Sequence, residues 1–79
     1  MHDLDAIVRV GLAVGFVQKY DGANRGWLQV MFPDGSWEIM PEKGYSQKHE
    51  ALLVHAHTIW SRRALRRMAE EAKEPTSPG

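Results

Sequence analysis

Four histidines and a run of four arginines are the residues with the most obvious chemistry. His2, His49, His55 and His57 are the candidates for metal binding or acid–base catalysis. His55 and His57 lie two apart, so on a helix they point about 160° from each other and cannot share one metal, which needs four-residue spacing. His49 has no histidine or carboxylate at that spacing. These are expected to be surface or cap-region imidazoles. No nucleophile-elbow pattern, phosphate-binding glycine loop or inward-facing carboxylate pair is present. No catalytic residue, metal ligand or cofactor is therefore expected, and the chain reads as a non-enzyme.

Arg62, Arg63, Arg66 and Arg67 place four positive charges in six residues of a helical segment. Such a cluster suits phosphate recognition, and a basic helical face can ride a groove or backbone. Glu70, Glu71 and Glu74 follow at once, and Arg66 with Glu70 or Arg67 with Glu71 would pair at four-residue spacing. A second chemical corner is aromatic. Tyr20 and Trp27 flank a turn beside Lys19 and Arg25, a combination typical of contact hot spots. Trp37 and Trp60 are expected to pack in or beside the core.

The elements that would hold these residues follow from patterning. From Val8 to Tyr20 bulky side chains alternate with Arg9, Gly11, Ala13 and Gly15, a period of two that predicts a first strand beginning at Ala6 or Leu12. Gly11 and Gly15 suit a bulge or a close approach on that face. Asp21 to Gly26 supplies turn chemistry before a second strand from Trp27 to Phe32. Pro33, Asp34 and Gly35 make the strongest turn signal, and Phe32 is expected to pair with Trp37. That register sets Leu28, Val30, Phe32, Trp37 and Ile39 on one face and Trp27, Gln29, Met31, Glu38 and Met40 on the other.

Pro41 ends the third strand, and Ser46 caps a helix of about 27 residues, roughly 40 Å, closed before Pro75. Leu52, Leu53, Ala56, Ile59 and Trp60 form its first apolar stripe; Ala64, Leu65, Met68 and Ala72 form a second, offset by about a third of a turn. A three-stranded sheet is too short to cover both, so the far half overhangs. The fold class is α+β: a three-stranded antiparallel meander followed by one long C-terminal helix, β-β-β-α. Residues 1–73 make one domain and 74–79 a disordered tail.

Composition bounds the rest. With 79 residues, ten Lys plus Arg against ten Asp plus Glu, and 43% hydrophobic residues, the chain carries no net charge and one thin core. A large ligand cavity and a small-molecule substrate are not expected. The absence of cysteine fits a reducing, cytoplasmic setting. The apolar run from Val10 to Val17 is too short for a membrane span, and no leader peptide is evident.

A three-stranded sheet followed by one helix, with Trp27-Leu28-Gln29-Val30-Met31-Phe32-Pro33-Asp34-Gly35 leading into the third strand, resembles the arm-site DNA-binding domain of tyrosine recombinases and the plant AP2 domain. The likeness is one of topology and covers roughly residues 12 to 62. It implies an exposed sheet face that enters the major groove. The matching positions carry Gln18, Lys19, Arg25, Trp27 and Gln29, with Glu38 placed to repel phosphate.

Two functions follow as expectations. The first is a protein-binding module of adaptor or inhibitor type, self-associating or docking on a larger protein through Arg62, Arg63, Leu65, Arg66, Arg67, Met68 and Ala72 or through an open sheet edge. The second is nucleic-acid binding, with Lys19, Arg25, Trp27 and Gln29 reading and the α-helical arginines holding phosphates.

Overall fold

The structure is a computed structural model and describes residues 2–73. The expected tail, 74–79, lies outside the described residues. The order is α1 (Leu4–Val14), β1 (Val17–Lys19), a single 3-10 turn (Gly22–Asn24), β2 (Trp27–Met31), β3 (Trp37–Pro41) and α2 (Gln47–Lys73). The strands form one antiparallel sheet in the order β1-β2-β3, followed by the long helix, as expected for an α+β chain. The N-terminal helix was not foreseen.

That helix replaces most of the predicted first strand. Asp3 caps it, its Oδ1 accepting from the Ala6 amide at 3.1 Å, and Gly15 ends it in the left-handed region at φ 103°. Leu4, Ile7, Val8 and Gly11 recur at helical spacing and face the core, with Ile7, Val8 and Gly11 buried. The alternation that suggested a strand is left outside, because Val10, Leu12 and Val14 are exposed. Only Val17–Lys19 remains strand. Gly11 does mark a close approach: a Cβ there would stand 2.3 Å from Cγ2 of Val17.

The hairpin joining β2 and β3 is where expected, but its register differs by one. Met31, not Phe32, pairs with Trp37, and Leu28 pairs with Met40. The loop is the cause. The Gly35 amide donates to the Phe32 carbonyl at 3.0 Å, Gly35 takes φ 91°, and the Phe32 amide donates to the Ser36 carbonyl at 2.9 Å. A type I turn followed by a left-handed glycine makes a three-residue loop, which shifts the partner of every strand residue by one. Asp34 fixes it, its Oδ1 accepting from the Ser36 amide at 2.9 Å and hydroxyl at 2.6 Å.

Leu28, Val30 and Met40 therefore share the covered face with Leu53 and Ala56 of α2, and all five are fully buried. Trp37 is not a core residue: it is 57% exposed and stands with Ile39 on the outer face. Trp60 keeps its expected place at the core edge. Its ring stacks on Phe16 at 6.1 Å and its Nε1 donates to the Met31 carbonyl at 2.8 Å. That bond pins the middle of α2 to the end of β2.

Ser46 caps α2 as expected. Its Oγ accepts from the His49 amide at 3.1 Å, while its own amide donates to His49 Nδ1 at 3.3 Å. This is a capping box with histidine in the place usually taken by Glu or Gln. No described helix is long and apolar enough to cross a membrane.

Candidate functional site

The site grows from the length of α2. A helix of 27 residues spans about 40 Å, and the buried residues it contributes, Leu53 and Ala56, belong to its first turns. From Arg62 to Ala72 every residue is exposed. Leu65 is 64% exposed and Met68 62% exposed, so the apolar stripe of the far half lies in water. The far half overhangs the sheet, as the sequence indicates. The expected binding residues Arg62, Arg63, Leu65, Arg66, Arg67, Met68 and Ala72 all fall on this overhang.

Where the overhang leaves the sheet, α1 comes alongside and a groove opens. It has a volume of about 560 Å³ and is formed by Val10 and Val14 of α1, Phe16, Phe32, and Trp60 and Ala64 of α2, with His57, Arg63 and Arg67 among its walls. Val14 is 69% exposed in it. A large ligand cavity was not expected in so small a chain. The groove instead lies on the surface, between two helices, one of which the alternation had disguised. Val10, Val14 and Phe16 were missed as site residues for that reason. The helical spacing of Leu4, Ile7, Val8 and Gly11, with Asp3 as cap, was the signal that could have found them.

Electrostatics at the groove come from the arginines. Among the described residues, the ion pair formed is Lys19 Nζ to Glu42 Oε1 at 3.1 Å. The four arginines close none with Glu70 or Glu71, so their charge stands on the groove wall and the overhang. Among the described residues no three His, Asp or Glu side chains converge as metal ligands. The histidines are dispersed: His49 caps α2, His55 lies tilted on the Phe32 ring at 5.9 Å, and His57 reaches the groove.

The second expected surface is divided by the register. Trp27 and Gln29 lie on the outer sheet face with Ile39, and Trp27 is 46% exposed. Lys19 pairs with Leu28 and so belongs to the other face, where its ammonium meets Glu42. Glu38 pairs with Val30 and is also carried away from the outer face. Arg25 is exposed in the turn before β2. The outer face is thus aromatic and neutral rather than basic, with Tyr20, Trp27 and Ile39 bounding a shallow hollow.

Comparison with protein-family profiles, with curated proteins and with solved structures gives no match.

Proposed function

We propose that the chain is a non-enzymatic protein-binding module, of adaptor or inhibitor type, that docks on another chain through the far half of α2. One observation carries this reading: Leu65 and Met68 stand in water on a helix that its own sheet does not reach. Covering one such side chain contributes about 1.5–3 kcal/mol, and the arginines around it would add orientation by charge. The open edges of β1 and β3 are the weaker alternative, since each strand is short. A cysteine-free chain suits a reducing, cytoplasmic setting for such a module.

The test uses three baits in a host extract: the wild-type chain, Leu65→Ser/Met68→Ser, and Trp37→Ser as a control on the outer sheet face. The reading expects one identified protein to be retained by the first and third baits, lost from the second, and bound again when purified. Arg66→Glu should weaken the same complex while leaving thermal stability nearly unchanged. Identical retention by all three baits refutes it.

Nucleic-acid binding is the second reading, and what favours it is the density of arginine on α2 with Arg25 and Trp27 on the sheet side. The ion pair at Lys19 and the zero net charge weigh against it. Gel shifts at low salt decide: a complex that weakens steeply with salt supports it, and no complex at micromolar protein removes it.

A further inference from the structure

We infer that the groove between α1 and α2 is a binding site for a small amphipathic anion, an aliphatic carboxylate whose chain lies on the apolar walls and whose headgroup meets Arg63 and Arg67. The inference goes beyond the docking reading and stands without it, because Leu65 and Met68 are not among the groove walls.

Charge at the groove selects the occupant. The chain as a whole balances ten Lys plus Arg against ten Asp plus Glu. The groove does not share that balance: its ionisable walls are His57, Arg63 and Arg67, and no carboxylate lines it. Among the described residues neither arginine closes an ion pair, although Glu71 follows Arg67 by one helical turn. Two guanidinium groups that no protein anion neutralises are donors for a carboxylate from outside. A cationic or uncharged apolar guest would leave them unanswered.

Size limits the occupant to a small molecule. Val10, Val14, Phe16, Phe32 and Trp60 give the groove apolar sides, and its volume of about 560 Å³ falls within the roughly 300–1,000 Å³ of small-molecule sites. Thirteen residues line it, fewer than the roughly 20–30 that a protein interface engages on each side.

The walls are also ordered along α2. At about 100° per residue His57, Trp60, Ala64 and Arg67 fall within about 80° of helix surface, and Arg63 lies about 40° beyond. From His57 to Arg67 that strip advances about 15 Å, so an extended chain of about ten carbons with its headgroup at the arginines reaches back across Ala64 and Trp60. Trp60 is held in place there by its bond to the Met31 carbonyl and its stack on Phe16. Arg62 and Arg66 stand about 140° or more from the middle of the strip, outside the groove.

Trp60 reports occupancy in a Trp27→Phe/Trp37→Phe chain, because those two indoles stand exposed on the outer sheet face; circular dichroism checks its folding. Decanoate carrying bromine on its last carbon, titrated to about 1 mM and below its micelle concentration, should quench Trp60 emission saturably. Plain decanoate should displace it, and acetate should not. Decyltrimethylammonium chloride, equal in chain length and opposite in charge, should compete at least about tenfold more weakly. Arg63→Gln/Arg67→Gln should weaken decanoate about tenfold, whereas Arg62→Gln/Arg66→Gln, with the same change in net charge, should leave it within about twofold. Leu65→Ser/Met68→Ser should leave it unchanged.

No saturable quenching up to about 1 mM overturns the inference. Equal competition by the ammonium, or equal weakening by the two arginine pairs, also overturns it, since either would mark a general effect of apolar surface or net charge. Loss of binding in Leu65→Ser/Met68→Ser would put the probe on the overhang and has the same consequence. So does a chain that ignores free decanoate and sediments with phosphatidylglycerol vesicles, whose ligand is then a lipid surface. The docking reading is tested by its own baits and survives each of these results.

Discussion

Gly11→Ala sets two effects of known size against each other. In a free helix the change gains about 1 kcal/mol, because glycine is a poor helix former. Here the new methyl would stand 2.3 Å from Val17 Cγ2, 2.9 Å from Val17 Cβ and 3.0 Å from Phe16 Cε1. Val17 is 2% exposed and β-branched, so its side chain has little freedom to turn away. Relief requires α1 to move off β1. Overpacking of this kind costs about 1–3 kcal/mol, and this overlap lies at the severe end, so the net loss should be about 1–2 kcal/mol. For a chain of this length that lowers Tm by about 5–15 °C. Thermal melts followed at 222 nm, with urea unfolding as a second measure, read it directly. Ala13→Gly, on the exposed side of the same helix, should lose about 1 kcal/mol from propensity alone. A Gly11→Ala chain as stable as wild type, or more so, would refute the seating of α1 on β1 and with it one wall of the groove.

Trp60→Ala should cost about 3–5 kcal/mol, enough to unfold much of the population at 37 °C, whereas Trp60→Phe keeps the stack on Phe16 and loses the bond to the Met31 carbonyl, costing about 1–2 kcal/mol in urea titrations. The two hydrogen bonds from Ser36 hold the Asp34 carboxyl below its ordinary value, its side-chain bond first. Its contribution is present above the ordinary carboxylate pKa and is lost as pH falls through the lower folded value, so Asp34→Ala should flatten the acid limb of a Tm–pH curve. Burial, then Asp5 and Glu42, push the Tyr45 phenol up. Stability from that group is complete below the ordinary phenol pKa and declines as pH rises through the folded value; Tyr45→Phe should reduce the loss of Tm above about pH 10.

Much of this molecule was legible locally. Ser46 marks the start of α2, and the length of its helical pattern alone requires an overhang, because a helix advances by a fixed rise while three short strands cover a fixed width. Pro33, Asp34 and Gly35 announce their turn by the dihedral angles they favour. Among the binding residues proposed on α2, Leu65, Met68 and Ala72 share a strip that spacing already displays. Three features were decided only in three dimensions. Val8, Val10, Leu12 and Val14 satisfy a period of two while Leu4, Ile7, Val8 and Gly11 satisfy a helix, and both sets occupy the same stretch. The helix won because α2 and β1 offer its stripe a place to be buried, whereas the alternating set has none. The register of β2 on β3 turned on whether Gly35 adds a residue to the loop, a choice of one backbone angle that reverses which face Trp37 occupies. The groove joins Val14, Phe16 and Ala64, which are distant in sequence and become neighbours only when two helices dock side by side. Spacing fixes what one element can present; which elements meet depends on burial summed over all of them.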